Sequence, residues 1–460
     1  MTRRLQALNA SLVILFGLVA LAVAYWGIVG ASDLLARDDN PRLVEAELRV
    51  QRGSILDRNG IVLAETVGEL GDLERVYNGL GVYSPAVGYY SLRHGVSGVE
   101  DSYDGVLRGR ESDPWRAWWR GFVHRNPVGQ DVQLTLDAQV QAVADAALGA
   151  SQGAVVLLDA RSGEILALVS HPTYDPNELD AQFDALNADE DAPLLSRATQ
   201  ALYQPGTALQ PLILAAALEA GVVPEDMWFE ELTEPVAVGE AWLGCLASPP
   251  DEEGAITTAL AHSCPAPFVT LGAGMEATGL ERLGLYEPPP VPLEVVAGSR
   301  PELGEDGIIA PGEAAGQGQL TLSPLQMAWA MAALANEGKM SSLRLVRRVG
   351  SGGIVVAELA LMQGITPGTA DMVTGMMMEG VASGAAAQAA IDGVEVAGHV
   401  GVAIVGPEGE RNSWFLGIAP ATMPEPFARY VVVVLMEGAS DPAAAARVGR
   451  QVLESVLDGR

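Results

Sequence analysis

Gly153 to Ser170 reads GAVVLLDARSGEILALVS, two apolar runs broken at Arg161-Ser162-Gly163. Runs this short and this apolar, bounded by turn residues, are strands rather than helices, buried on both faces. A sheet buried on both faces needs helices to cover it. The remaining sequence supplies both kinds of element. Helical patterns occupy about 207–220, 323–337 and 369–382, and a last one runs from about Asp441 to Leu457. Late strands read at Val394–Val405, Ser413–Ala419 and Tyr430–Glu437. Upstream, Val132 to Leu136 alternates as a strand, and Asp137 is placed to cap a helix reaching about Leu148. From Asp131 onward the expectation is a mixed α/β domain, a sheet flanked by helices.

The first 130 residues read differently. Leu12 to Ala31 carries no charge, and 20 such residues span ~30 Å of hydrocarbon as a helix. Arg3 and Arg4 precede the run; Asp33, Asp38 and Asp39 follow, with Arg37 among them. Basic flanks stay on the cytoplasmic side. The expectation is a cytoplasmic tail over 1–11, a single-pass anchor over 12–31, and the bulk of the chain outside. Val29-Gly30-Ala31 also resembles a signal-peptide cleavage site, but the run exceeds the usual ~7–15 apolar residues of such a peptide. Residues 32–50 read as a charged stalk. Asn59-Gly60 between Ile55-Leu56 and Ile61-Val62-Leu63 signals a hairpin. The Gly- and Tyr-rich stretch 66–107 predicts only short strands and turns. Trp115, Trp118, Trp119 and Phe122 share one helical face near Arg108, Arg110, Arg116, Arg120 and Arg125. That helix would pack on the protein body or touch lipid headgroups.

Composition excludes several classes. Lys+Arg total 27 against 58 Asp+Glu, a net charge of −31, which repels phosphate backbones and argues against a nucleic-acid partner. Cys245 and Cys264 are the only cysteines, and the five histidines (94, 124, 171, 262, 399) form no HxxxH pair. No metal site and no cofactor are expected. Lys339 is the only lysine.

Six segments, in order, resemble class B penicillin-binding proteins, the membrane-anchored transpeptidases that cross-link peptidoglycan. RGSILDRNGIVLAET (52–66) and VYSPAVGYYSLRHGVSGVEDSYDGVLRG (82–109) look like that family's N-terminal non-catalytic module. VQLTLDAQVQ (132–141) with GAVVLLDARSGEILALVSHPTYDPN (153–177), GQGQLTLSPLQMAWAMAALANEG (316–338) and NSWFLGIAP (412–420) resemble its transpeptidase domain. The resemblance implies a smaller, mostly-β module with its stalk over 32–130. It also implies a transpeptidase-like domain over 131–460 with a central antiparallel sheet.

The family's chemistry uses Ser-x-x-Lys, Ser-x-Asn and Lys-Thr-Gly. In the first motif the Lys lies one helical turn from the Ser and can take its proton. All three are altered here. Thr207-Ala208-Leu209-Gln210 stands for the first, Ser263-Cys264-Pro265 for the second and His399-Val400-Gly401 for the third. Gln210 cannot act as a base at any pH. The β-methyl of Thr207 crowds attack on a carbonyl. Pro265 has neither a backbone N–H nor a side-chain amide. Val400 cannot hold a carboxylate. His399 keeps a positive charge only below about its reference pKa of ~6.5.

A general bias against lysine would account for two losses but not for Pro265 or Val400, and arginine replaces neither lysine. The combination points to a pseudoenzyme in cell-wall assembly or its regulation. The resemblance implies partners among peptidoglycan stem peptides, β-lactams, membrane-embedded glycan polymerases, and elongation or division proteins. The competing expectation is an active transpeptidase or hydrolase rewired around Thr207, with Ser263 or His399 as base. The backbone amides of Thr207 and Val402 would then be its oxyanion donors. A third is a non-covalent sensor of peptidoglycan stems or β-lactams. Cys264 admits three roles: a nucleophile beside His262 or His399, a small buried residue, or a disulfide with Cys245.

Overall fold

The structure is a computed structural model. It describes residues 2–28, 50–69, 71–109, 128–223, 227–272, 274–301, 303, 308–350, 361–406, 409–422, 429–439 and 441–458. Helix α1 (Thr2–Ile28) is 27 residues long, and its apolar side chains face outward: Val13 is 71% exposed and Phe16 70%. Among the described residues no helix is long and apolar enough to cross a membrane. Residues 29–31 of the uncharged run, the stalk at 32–49 and the Trp115–Phe122 segment lie outside the described residues.

The first sheet begins with β1 (Ile55–Leu56), β2 (Val62–Glu69) and β3 (Asp72–Tyr77). The Asn59-Gly60 turn forms as its sequence requires. Gly60 has φ +90°, which glycine adopts without a Cβ penalty. Asp57 closes the turn, its carboxylate accepting from the Asn59 and Ile61 amides at 2.8 and 2.7 Å. The pairing of β2 with β3 runs six residues, from Ala64↔Tyr77 to Glu69↔Asp72, longer than the short strands expected over 66–107. Glu65, Glu69, Glu74 and Arg75 break the apolar alternation there, while Leu63, Ala64 and Tyr77 alone carry the buried face.

Two strands from beyond residue 130 complete this sheet. β4 (Val132–Leu134) pairs parallel with β1. Val346–Val349 pairs antiparallel with β4 on its far side. The unit also holds a buried ionic cluster. Arg52 Nη2 donates to Glu100 Oε2 at 2.6 Å and Nη1 to Asp104 at 2.7 Å, while Arg75 Nε donates to Glu100 Oε1 at 2.6 Å. Glu100 is fully buried and Arg52 4% exposed.

Helix α2 (Ala138–Leu148) starts at Asp137, whose carboxylate accepts from the amides of Gln139 and Val140. It is followed by β5 (Gly153–Asp159) and β6 (Ile165–His171). With β7 (Ala397–Val405), β8 (Glu410–Ala419) and β9 (Tyr430–Met436) they form one antiparallel sheet, in the order β7-β8-β9-β5-β6. Each face has its own core. Val431, Val433 and Leu435 pack with the helix Pro324–Ala335. Val432 and Val434 pack with Val140 and Ala144 of α2 and with Val448 and Val452 of the C-terminal helix Pro442–Asp458. The strand YVVVVLM is apolar at every position because both faces are covered. β7 is an edge strand, and its free side meets the candidate site.

At the end of β6, His171 Nε2 lies 2.7 Å from Asp145 Oδ1, and Nδ1 lies 2.7 Å from the Gly149 carbonyl at the end of α2. The hydrogen bond to Asp145 raises the His171 pKa, against the opposing effect of burial. This contact stabilises the fold fully below the unfolded pKa of ~6.5 and is lost as pH rises through the raised folded value. Asp145→Asn is expected to return the ring toward ~6.5 in an NMR titration; an unmoved pKa would refute this cause.

Candidate active site

The first altered motif is pressed against β7 by a glycine. Gly206 has φ +55°, and a Cβ there would lie 1.9 Å from the Val402 carbonyl oxygen. Without a side chain the 3-10 turn Gly206–Leu209 can dock on the edge strand before helix Gln210–Glu219 begins. Gly401 completes the fit, since a Cβ there would meet the Ala208 amide nitrogen at 2.1 Å. Ser263 lies between helices Ile256–Ala261 and Pro265–Gly272 with φ +53°, a conformation that costs a non-glycine residue energy. Pro265 opens the second of these helices, where a missing N–H leaves no helical bond unmade.

The Thr207 hydroxyl is the centre of the arrangement. Its oxygen accepts from Ser263 Oγ at 3.0 Å and from the Val402 N–H at 3.0 Å. Both acceptor positions of the hydroxyl are therefore occupied. Among the described residues no carboxylate, amine or imidazole nitrogen hydrogen bonds it. His399 makes a different contact. Its Nε2–H donates to the Thr207 backbone carbonyl at 2.9 Å. Full burial pushes its pKa down to about 4, although the carbonyls of Thr207 and Leu260 favour the charged form. The expected charge below ~6.5 is corrected accordingly: the folded-state ring is neutral down to about pH 4. Gln210 donates from Nε2 to the Cys264 carbonyl at 3.2 Å, tying the first motif to the second. Val400 points to the opposite face of the sheet, where it packs in the core beside Phe415.

Thr207 is 1% exposed, Ser263 0%, Gln210 2% and His399 2%. Thr207, Ser263, His399 and Val402 thus lie together. Pro265 and Val400 serve packing, and Lys339 is engaged by Glu337 at 3.2 Å.

Other residues close the site, and of these only the Cys245–Cys264 pair was among the sequence expectations. Cys245 and Cys264 form a disulfide with Cα atoms 4.0 Å apart, which removes the nucleophile reading of Cys264. The bond fastens the segment after the hairpin Val236–Val238/Ala241–Leu243 to the second motif. The backbone N–H groups of Leu246 and Ala247 donate hydrogen bonds to the His262 carbonyl. Leu243, from the same hairpin, buries itself against Val402 and Ile404 of β7. The Ile404 amide donates to Gln317 Oε1 at 2.9 Å. The amides of Val402 and Ile404 both face outward at alternate positions of the edge strand, and side chains of this chain fill both. A peptide strand adding to that edge would have to displace them.

The fold thus sets the Thr207 hydroxyl, with Ser263 Oγ 3.0 Å away, against the edge strand of an antiparallel sheet. Residues 153–454 match the penicillin binding protein transpeptidase domain, and residues 52–132 the penicillin binding protein A dimerisation domain. The chain belongs to the penicillin-binding protein transpeptidase family. It is 30% identical to the peptidoglycan D,D-transpeptidase PbpA of Mycolicibacterium smegmatis, over 99% of both chains. It is 31% identical to PbpA of Mycobacterium tuberculosis over 100% of both. Among solved structures it resembles the ceftriaxone acyl-enzyme complex of penicillin-binding protein A from M. tuberculosis. That match has a TM-score of 0.79 and 30% identity, covering 89% of this chain and 99% of that one. The transpeptidase domain from Eggerthella lenta gives a TM-score of 0.77 at 30% identity, with 89% and 99% covered.

Proposed function

We propose that the chain is a catalytically silent penicillin-binding protein. It acts as a scaffold or peptide-binding component in bacterial peptidoglycan assembly or its regulation. The observation that carries this reading is the state of the Thr207 hydroxyl. It accepts two hydrogen bonds and meets no base, whereas a nucleophile needs a free lone pair and a proton acceptor. The full-length similarity to PbpA supports the cell-wall role. The uncharged run Leu12–Ala31, preceded by Arg3 and Arg4, supports a single-pass anchor in the cell membrane. The N-terminus would be cytoplasmic and the two folded units extracytoplasmic. Partners of the anchor and the N-terminal unit would be membrane-embedded glycan polymerases and division or elongation proteins, with no nucleic acid.

A second reading keeps catalysis, with Thr207 as nucleophile, Ser263 hydrogen-bonded to its hydroxyl, and His399 in contact with its backbone carbonyl. It is favoured by the 3.0 Å contact of Thr207 with Ser263 and by the acyl-enzyme complex of the M. tuberculosis relative. A non-covalent stem-peptide or β-lactam sensor would use the same residues. Fluorescent penicillin separates these. The wild-type protein is expected to show no covalent adduct by gel or intact mass. A stable adduct abolished by Thr207→Ala would overturn the proposal, and saturable, reversible binding would support the sensor.

A further inference from the structure

A cavity of about 240 Å³ lies at the seam between the N-terminal unit and the transpeptidase-like domain, and none of the altered motif residues lines it. Ser84, Tyr89 and Ser97 are among the residues on one side; Tyr174, Ser196 and Gln200 are among those on the other. A hydrogen bond of 2.7 Å between Ser84 and Thr173 joins the two sides.

The lining specifies a ligand class. Among the described residues that form it there is no arginine, lysine or histidine, so neither a phosphate nor a carboxylate finds a counter-charge. Its one acid, Glu294, is engaged by the Gln200 amide at 2.9 Å, which leaves a poor cation site. The rest is hydroxyl and aromatic. Tyr89 and Tyr174 stand edge to face at 6.1 Å. Ser196 Oγ is buried with no hydrogen-bond partner, a state that costs about 1–3 kcal/mol and is relieved by a ligand hydroxyl or amide. The volume is below the ~300–1,000 Å³ of drug-sized sites; it suits one six-membered ring with its substituents. A neutral ring with one apolar face and several hydroxyl and amide groups is an N-acetylhexosamine.

We propose that this seam cavity is a glycan subsite that holds one N-acetylhexosamine unit. The proposal rests on the peptidoglycan reading above, because that polymer is the source of such a unit. The polymer would be grasped by its sugar here, independently of the altered peptide site.

The test is calorimetry and saturation-transfer NMR on the full chain with N,N′-diacetylchitobiose. Saturable binding is expected, weakened about tenfold or more by Tyr89→Ala and also by Ser196→Val, which fills the cavity. If Tyr89→Ala does not fold, Ser196→Val carries the test. Thr207→Ala should leave the affinity unchanged. No saturation up to about 20 mM disaccharide, or full affinity in both folded variants, overturns the proposal. A stem peptide that binds where the disaccharide does not also overturns it, but leaves the cell-wall reading standing. A penicillin adduct on Thr207 overturns the catalytic silence and leaves the subsite intact.

Discussion

Glu100→Ala is expected to cost the N-terminal unit about 3–5 kcal/mol of stability, the usual consequence of removing one partner from a buried ion pair. The carboxylate is fully buried and serves two guanidiniums at once, Arg52 through Oε2 and Arg75 through Oε1. The Tyr77 hydroxyl, which donates to Oε1 at 3.3 Å, loses its acceptor too. Asp104 remains for Arg52, but Arg75 keeps only the Gly53 carbonyl and the Thr66 hydroxyl. A cation left inside without its counter-charge is what makes such a deletion expensive. The exposed pair Arg300–Glu287 provides the contrast, with side chains 64% and 71% accessible; Glu287→Ala should stay within about 1 kcal/mol of wild type. Urea denaturation of both variants measures the difference. A loss below about 1 kcal/mol for Glu100→Ala would mean that the cluster contributes nothing beyond packing.

Acid should weaken the fold at His399 before most carboxylates titrate. The unfolded ring binds a proton near pH 6.5, while the buried ring does so only near pH 4. Because the folded value is depressed, the unfolded state holds more protons throughout that interval, and stability falls as pH falls. It is fully present above about pH 6.5. The loss grows to about 3 kcal/mol once the pH is below 4, of which about 2 kcal/mol accumulates between pH 7 and 5. The Asp145–His171 contact works in the opposite direction over the upper part of this range. The difference between wild type and His399→Gln isolates the ring from every other titrating group. The variant should lose about 2 kcal/mol less than wild type between pH 7 and 5. Parallel pH profiles would show that the imidazole is not held neutral.

Much of this architecture could be read from residue order. The strand pair around Gly163, the cap at Asp137 and the three late strands lie where apolar periodicity put them, because their burial is local and complete. The convergence of Thr207, Ser263 and His399 was legible only through resemblance, since spacing alone does not bring residues 207 and 399 together. The closure was not legible. The Cys245–Cys264 bond stood among three readings of Cys264, but Leu243 and Gln317 act through contacts about 90 to 160 residues apart in sequence. Each is an ordinary residue type whose role depends on which edge amide or side chain it meets. The neutrality of His399 was likewise hidden, because a reference pKa carries no information about burial.

The strand pairing of the first sheet has a mechanical corollary. Ile55–Leu56 lies beside Val132–Leu134, which lies beside Val346–Val349, so the ladder stitches the segment near residue 50 to two stretches distant in sequence. A pull applied near residue 50 would load those three strands in shear rather than extend a loose tether. The larger unit would then follow any displacement of the smaller one as a rigid follower.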